Sequence, residues 1–269
     1  MRLRRKRAAA LEAAGDDPQA KWFWEHYEDA ARQILEFYDQ DGISVSGKRV
    51  ADVGCGDGIM DLGLAHHAQP AELVGLDVNP VDTANLIEQA RRYGVADELP
   101  PNLSFKQSEP QRLPADDASF DHVFTWSAFE HIGDVSGVLR EISRIMKPEG
   151  VLFLQLWPFF HSEQGSHLWD WFPEGFVQHR LTVDEIEEQV RAKSGADDWW
   201  ANYMLKEYRA LNRITLDELG AAILSAGLHV AKIEPLTGVT RLTPDLDRYP
   251  LSVLVMNGVK LLAVRSPAR

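Results

Sequence analysis

The chain has 269 residues, 45% of them hydrophobic, which is enough apolar material for a large core in one elaborated domain or two small ones. Its formal net charge of -13 argues against a nucleic-acid partner, because phosphate binding uses lysine- and arginine-rich surfaces. The single cysteine, Cys55, excludes an intramolecular disulfide.

The first seven residues, Met1 to Arg7, carry five basic side chains and no acidic one. They predict either a solvated helix end or a contact with an acidic partner or an anionic surface. Glu12 interrupts the short apolar run that follows, so it does not resemble a secretory signal, and no later run approaches the length of a membrane span. These features predict a cytoplasmic protein.

A first long helix is predicted to begin at Asp17 and Pro18, which suit an N-cap and the first helical position. Aromatic and aliphatic residues recur behind them at helical spacing. Trp22, Phe23 and Tyr27 are therefore expected in the core, with a lid over a bound ligand as the alternative for one of them.

From residue 48 onward, strand-like and helix-like patterns alternate, which indicates crossover connections and a parallel sheet with helices on both faces. Thr215 and Glu218 read as a capping box that opens a late helix ending near Gly227. The predicted strands are 49–53, 71–77, 103–107, 122–126, 151–156, 230–236 and 251–264, and the predicted helices between them are 59–67, 80–93 and 135–146.

The most informative segment is the apolar strand that runs into the turn Gly54-Cys-Gly-Asp-Gly58 and then into a helix. Glycines let the backbone approach a ligand closely, and the helix points free N–H groups at the turn. A second strand ends in Asp77, nineteen residues after Gly58, where a nucleotide-binding unit places a carboxylate for the ribose. The spacing differs from the dinucleotide pattern, and Asp52 and Asp57 would repel a pyrophosphate but suit a cationic amino group.

Asp52 to Gly58 followed by Gly75-Leu-Asp77 resembles motifs I and II of the class I S-adenosylmethionine-dependent methyltransferases. Residues 113–131 and 141–151 are similar to later segments of that family's small-molecule, type 11-like branch. The likeness covers roughly residues 48–157. It implies a Rossmann-like doubly wound α/β sheet of seven strands, mostly parallel with an antiparallel last strand, that binds S-adenosylmethionine and releases S-adenosylhomocysteine.

The resemblance also implies a cofactor site. The glycines would contact the methionine part, Asp77 the ribose hydroxyls and Glu109 the adenine amino group. Pro110 departs from the family because it lacks an N–H for the adenine ring, and the Gln111 amide is a substitute. The expected cofactor residues are Asp52, Gly54, Cys55, Gly56, Asp57, Gly58, Asp77, Val78, Ser108, Glu109, Pro110, Trp126 and Ser127.

Acceptor specificity is expected in residues 158–214, a segment too long for a minimal connection. Its first part combines tryptophans, histidines and carboxylates, which suits a sugar or an aromatic acceptor. The alternative is an aromatic mini-core. A hydroxyl acceptor needs a base, and the candidates for base or acceptor contact are His131, His161 and His167, with Asp170 or Glu174 to orient one of them.

A divalent metal is a weaker hypothesis, because His161, Glu163, His167, Asp170 and Glu174 are ligand types whose spacing matches no fixed motif. No metal residue is therefore assigned. Residues 184–200 predict an acidic helix followed by an aromatic anchor, which would serve as a pocket wall or a subunit contact in a homodimer.

Together these features predict a methyltransferase that O-methylates a sugar-like or polyketide-like hydroxyl. N- or C-methylation, a non-catalytic cofactor-binding module and a nicotinamide-dependent oxidoreductase remain alternatives. The expected segments are an N-terminal helical cap (1–47), a cofactor-binding core (48–157), an acceptor-binding insertion (158–214) and a C-terminal completion of the sheet (215–269).

Overall fold

The computed structural model describes residues 17–265. The basic run from Met1 to Arg7 lies outside the described residues, so its predicted role stays a prediction. Within the described range, no helix combines the length and the apolar character that crossing a membrane requires.

The N-terminal helix begins as predicted, because the Asp17 carboxylate accepts a hydrogen bond from the Gln19 backbone N–H at 3.0 Å and caps α1 (Pro18–Trp24). It continues through a π-helical segment, Glu25–Ala30, into α2 (Ala31–Asp39). The sequence did not reveal the π segment. The carboxylate of its buried Glu28 lies 3.1 Å from Nε2 of His67 on the helix packed against it, a tertiary contact that local spacing does not encode.

The central part of the chain alternates strand and helix, and the predicted elements lie within a few residues of the observed ones. The largest difference is the fifth strand, which begins five residues earlier than its apolar run. The observed elements are β1 (Arg49–Val53), α3 (Ile59–Ala68), β2 (Glu72–Asp77), α4 (Thr83–Arg92), β3 (Leu103–Gln107), β4 (Phe120–Trp126), a 3-10 turn (Phe129–His131), α5 (Val135–Ile145) and β5 (Met146–Leu156).

The C-terminal part of the chain differs from the prediction at one strand. Residues 251–264 form a short helix, α10 (Leu251–Val255), before β7 (Met256–Arg265), because Leu254 packs in a small core with Phe176 and Leu246. The predicted capping box of Thr215 and Glu218 is present. The remaining elements are α6 (Val177–Arg180), α7 (Val183–Ser194), α8 (Trp199–Ala210), α9 (Leu216–Ser225), β6 (Leu228–Thr237) and a 3-10 turn (Pro244–Leu246).

The seven strands form one sheet in the order β3-β2-β1-β4-β5-β7-β6. β1 pairs in parallel with β2 and β4, β2 pairs in parallel with β3, and β6 and β7 are antiparallel. This confirms the predicted doubly wound sheet with an antiparallel last strand. The strand order reverses beside β1, the kind of position where open α/β sheets bind ligands.

Two compact units divide the described chain. The first unit comprises the residues up to Phe124 together with Arg144–Phe153, and the second comprises Thr125–Ser143 and the residues from Leu154 onward. The second unit has an apolar core of its own, which includes Phe160, Trp171 and Phe172. Part of the aromatic content of the insertion is therefore core. The four-segment division expected from the sequence stays a prediction.

Gly63 is the position where α3 and the π segment approach most closely. A β-carbon on Gly63 would lie 2.0 Å from the Tyr27 carbonyl oxygen, which is backbone and cannot rotate away. We expect Gly63→Ala to lower the free energy of unfolding by about 1–3 kcal/mol, because the helices must separate. Urea unfolding measures this change.

Gly220→Ala is the matched control, since Gly220 is also inside a helix but has nothing within 4 Å of an added β-carbon. It should stabilise the protein by about 0.5–1 kcal/mol through helix propensity. Equal effects of the two substitutions would contradict the close approach at Gly63.

Candidate cofactor and acceptor sites

The turn after β1 adopts the backbone that its glycines permit. Gly54, Gly56 and Gly58 all have positive φ angles, of 84°, 57° and 76°. At Gly58 a side chain is excluded twice, by its left-handed φ and because a β-carbon would lie 2.6 Å from the Phe105 ring. The turn is joined to the next strand by the Gly54 N–H, which donates to the Leu76 carbonyl at 2.8 Å.

Asp77 connects the ends of two strands through its carboxylate. Its Oδ2 accepts a hydrogen bond from the Gly56 N–H at 3.0 Å, and its Oδ1 accepts one from the Asn79 N–H at 2.8 Å. The side chain is therefore fixed at the edge of the glycine turn. Each oxygen retains a lone pair that can accept a further hydrogen bond, as a ribose hydroxyl would require.

The loop after β3 lies beside the same strand end. The Ser108 N–H donates to the Asp77 carbonyl at 2.8 Å, and the Gln107 side chain donates to the Val78 carbonyl at 2.9 Å. The Glu109 N–H donates to the Arg112 carbonyl, so neither Glu109 nor Pro110 presents a backbone donor to a ligand. The exposed Val78 side chain offers apolar surface instead.

Asp52 and Asp61 are both completely buried, and their carboxyl groups are neighbours that accept no hydrogen bond from any other group in the described residues. Burial raises the pKa of Asp52, and the charges of Asp61 and Asp77 raise it further. Burial likewise raises the pKa of Asp61. Asp52 therefore lies beneath the glycine turn, whereas Asp57 is the exposed carboxylate of the motif.

Cys55 is the small side chain that fills the inside of the turn. Its thiol is buried, and burial raises its pKa, so the reactive thiolate is disfavoured. This agrees with a packing role for the side chain, while the predicted cofactor contact of Cys55 concerns its backbone and stays a prediction.

Trp22 differs from the other N-terminal aromatic residues. Phe23 and Tyr27 are fully buried, whereas Trp22 is 52% exposed and its indole N–H donates to the Asp57 carboxylate at 2.8 Å. Asp57 also accepts a hydrogen bond from the Ile59 N–H at 3.0 Å. Of the three residues considered as a lid, Trp22 is the one placed against the glycine motif.

In the second unit, Trp126 is the last residue of β4 and Ser127 follows it. Ser127 has a positive φ of 46°, and both its N–H and its hydroxyl donate to the Gln155 side-chain oxygen at 2.8 Å. Gln155 thus fixes the turn that carries two of the expected cofactor residues.

Two of the expected catalytic histidines come together. The rings of His131 and His167 are edge to face, with centroids 5.3 Å apart, and Glu130 joins them so that one ligand-type atom from each residue lies within 4.8 Å of the others. Burial lowers the pKa of His131, and it lowers that of His167 to about 3. Burial also raises the pKa of Glu130 to about 8.

His161 and Asp170 do not belong to this group. The His161 ring stacks on His179, with centroids 5.2 Å apart and planes at 5°, and it lines a cavity of about 70 Å³. Asp170 accepts a hydrogen bond from the Trp200 indole at 3.1 Å. Of the five residues in the metal hypothesis, His167 alone is in the group of ligand-type atoms; Glu174 is exposed.

The expected acidic helix is α7, which begins with a capping box formed by Thr182 and Glu185. The aromatic residues that follow it are largely on the surface, since Trp199 is 75% exposed and Tyr203 is also exposed. The expected role of residues 197–200 as a pocket wall or subunit contact stays a prediction.

Three residues that organise this unit are not evident from the sequence. Glu130 lies in a segment that resembles the family, but nothing in the sequence distinguishes it as a site residue. Gln155 is a lone polar residue in an apolar strand, and that pattern could have indicated its role. Asn212 carried no signal. Its side-chain amide donates to the carbonyls of Phe129 at 2.6 Å and Ile132 at 2.9 Å, and its N–H donates to the Glu130 carbonyl at 2.8 Å.

Comparison with known proteins identifies the domain that carries the glycine turn. Residues 51–154 match the family model described as "Methyltransferase domain". The match covers 104 of the 269 residues, and this segment is similar to the methyltransferase-domain family. The match confirms the resemblance to class I S-adenosylmethionine-dependent methyltransferases, over nearly the same residues from which it was inferred.

The curated relatives match only part of this chain. A sterol 24-C-methyltransferase from Aspergillus fumigatus is 35% identical over 131 residues, which are 49% of this chain and 33% of that protein. A ubiquinone biosynthesis O-methyltransferase from Methylocella silvestris is 28% identical over 160 residues, which are 57% of this chain and 59% of that protein. The chain thus matches a third to three fifths of the length of these relatives.

The fold is shared over nearly the whole chain. The solved structure of geranyl diphosphate C-methyltransferase from Streptomyces coelicolor has a TM-score of 0.56 at 14% sequence identity, and it covers 96% of this chain and 88% of its own. At this identity the likeness concerns the fold alone.

The buried pair of Asp52 and Asp61 predicts a pH effect on stability. A carboxyl whose pKa is raised by folding binds its proton more tightly in the folded state, so this stability is present at low pH and is lost as the pH rises through the folded pKa. We expect Asp61→Asn to stabilise the protein at pH 8 by on the order of 1 kcal/mol, since the amide can donate to Asp52.

Urea unfolding between pH 5 and pH 9 measures this effect, and the stability of the Asp61→Asn protein should fall less steeply with rising pH. Asp116→Asn, at an exposed carboxylate, is the control and should follow the unsubstituted protein. Identical pH profiles for all three proteins would contradict the prediction.

Proposed function

We propose that this chain is an S-adenosylmethionine-dependent methyltransferase that acts on a small molecule. The observation that carries the proposal is the carboxylate of Asp77, held by the N–H groups of Gly56 and Asn79 at the end of β2. A carboxylate in this position beside a glycine turn suits the two ribose hydroxyls of a nucleoside. Asp57, the exposed carboxylate of the glycine turn, disfavours a ligand that carries phosphate.

The glycine turn and the loops beside Asp77 would supply the remaining cofactor contacts. The glycine turn would receive the methionine part, and Asp57 would attract its amino group. Val78 and the loop after β3 would border the adenine, with Glu109 as the acceptor for its amino group. The residues proposed for cofactor binding are Asp52, Gly54, Cys55, Gly56, Asp57, Gly58, Asp77, Val78, Ser108, Glu109, Pro110, Trp126 and Ser127.

For the acceptor, we propose a hydroxyl on a sugar-like or polyketide-like molecule. Exposed Trp157 and Trp169 have ring centroids 6.1 Å apart, and the ring of His167 is 5.9 Å from Trp169. Aromatic faces next to polar imidazoles suit a hydroxylated ring, which combines an apolar face with an oxygen to orient.

Methyl transfer to oxygen breaks the bond between the methyl carbon and the sulfonium sulfur and forms a bond between that carbon and the acceptor oxygen. The hydroxyl proton must leave. His131 is the proposed base, because burial lowers its pKa and keeps the imidazole neutral near pH 7, with a lone pair available. His161, His167 and Asp170 remain candidates for acceptor contact.

C-methylation is the second candidate. It is favoured by the 35% identity to the sterol 24-C-methyltransferase. Carbon and oxygen products are distinguished by the chemical shift of the transferred methyl group in NMR spectra of the product, and N-methylation is distinguished in the same way.

The comparisons give no support to the proposed homodimer. It and the cytoplasmic location stay predictions.

Asp77→Ala tests the cofactor site. We expect it to weaken S-adenosylhomocysteine binding by about 30- to 1,000-fold, because roughly 2–4 kcal/mol of charge-assisted hydrogen bonding is lost. Isothermal titration calorimetry measures the affinity. Glu72→Ala is the matched control, since Glu72 is at the other end of the same strand and pairs with Arg49, and its affinity should be unchanged.

The same titration separates the alternatives. Binding of NAD in place of S-adenosylhomocysteine would overturn the proposal in favour of an oxidoreductase. Cofactor binding without turnover of any glycoside, polyketide or quinol acceptor would support the non-catalytic module.

Trp22→Phe tests whether the N-terminal helix contributes to cofactor binding. The substitution keeps an aromatic ring but removes the N–H that donates to Asp57. We expect about fivefold weaker S-adenosylhomocysteine binding, corresponding to roughly 1 kcal/mol for one hydrogen bond. Trp199→Phe, at an exposed indole in the second unit, is the control, and equal affinities of the two variants would exclude this role for Trp22.

A further inference from the structure

Glu130, His131 and His167 form a cluster of metal-ligand types inside the second unit, called here the Glu-His-His cluster. One ligand-type atom from each side chain lies within 4.8 Å of the other two. Glu130 is 3% exposed and His167 is 9% exposed, so both side chains are at least nine-tenths buried.

Three polar atoms of this cluster have no hydrogen-bond partner among the described residues. Glu130 Oε2, His131 Nδ1 and His167 Nε2 are buried, and no side chain or backbone group in the part of the chain that the structure describes forms a hydrogen bond with them. Three such atoms in one place are costly, because each has lost its hydration without a replacement. A shared positive ligand would compensate Glu130 and His167, and His131 would contribute a ring nitrogen to it.

The backbone holds the cluster in this arrangement at some cost. His167 has a φ of 60°, in the left-handed region that a side chain of this size rarely adopts. Asn212 holds the turn that carries Glu130 and His131 through three hydrogen bonds to its carbonyl groups. Strain at one ligand and fixation of the other two are typical of a constructed site rather than of incidental packing.

A second carboxylate, that of Glu207, lies next to His131. Glu207 Oε2 on α8 is 3.4 Å from His131 Nδ1. A carboxylate next to an imidazole nitrogen orients the ring and fixes which nitrogen carries the proton, which is the usual arrangement around a histidine that binds a metal.

We propose that the Glu-His-His cluster binds one divalent cation of the zinc type. Two imidazoles and one carboxylate form a ligand set that zinc uses when a further coordination position stays open, and it is poorer for magnesium, which prefers oxygen. Ligands at about 2.1 Å from a tetrahedral ion are about 3.4 Å apart, so small side-chain rotations would bring the cluster to bonding distance.

The open position suits an oxygen ligand from the acceptor. With the cation bound, His131 is a ligand and the cation lowers the pKa of that oxygen, so the base role proposed for His131 applies to the protein without the cation. This last step rests on the proposed methyltransferase function, whereas the cation site itself does not. The experiment below therefore measures cation binding and cofactor binding separately.

The test uses the full-length protein without a histidine tag, freed of metal with EDTA. Titration with Zn²⁺ in a calorimeter, together with elemental analysis, should show one equivalent bound, and Mg²⁺ should bind far more weakly. Substitution of Co²⁺ should give the visible absorption bands of a site with mixed nitrogen and oxygen ligands. We expect His167→Gln and Glu130→Gln each to weaken Zn²⁺ binding by about 100-fold or more.

His161→Gln is the matched control, because His161 is a half-buried histidine of the same segment that stacks on His179 outside the cluster. It should leave Zn²⁺ affinity unchanged. S-adenosylhomocysteine binding by each variant reports that the protein is folded and tests the cofactor site independently. Absence of stoichiometric Zn²⁺ binding, or affinity that is unchanged in His167→Gln and Glu130→Gln, would overturn the proposal.

Discussion

Two backbone N–H groups, those of Gly56 and Asn79, donate hydrogen bonds to the two oxygens of the Asp77 carboxylate. The candidate cofactor site depends on this contact, because it joins the glycine turn after β1 to the loop after β2. The Ser108 N–H extends the connection to β3 by donating to the Asp77 carbonyl. A surface carboxylate would be mobile, whereas this one is fixed before any ligand arrives, which reduces the entropy that binding must overcome.

The buried polar groups of the two units differ in the kind of ion that can compensate their burial. In the first unit, Asp52 and Asp61 lie under the glycine turn and accept no hydrogen bond from any other group within the described chain, and burial raises the pKa of both. A bound proton is the simplest way to neutralise these two carboxyls. In the second unit, Glu130 and two imidazoles converge, so a cation can satisfy several lone pairs together. The difference follows from the donor set, since two carboxyls share a proton well and imidazoles coordinate metals well.

Close backbone approach is the second constraint on the first unit. Gly63 brings α3 against the π segment, and Gly58 leaves room for the Phe105 ring beneath the turn. The contact at Gly63 involves the N-terminal helical segment, and that segment also carries Trp22, whose indole reaches Asp57.

The sequence by itself determined the alternation of strands and helices, the glycine turn, the carboxylate at Asp77 and the resemblance to a methyltransferase domain, because each depends on local periodicity or on short spacing. It was wrong about residues 251–255, which form a helix where a strand was expected, because the packing of Leu254 with Phe176 prevails over local apolar character. Tertiary structure alone decided that His131 joins His167 and not His161, and that Glu130 completes the cluster. Those contacts connect residues more than thirty positions apart, and local patterns carry no information about which distant side chains will meet.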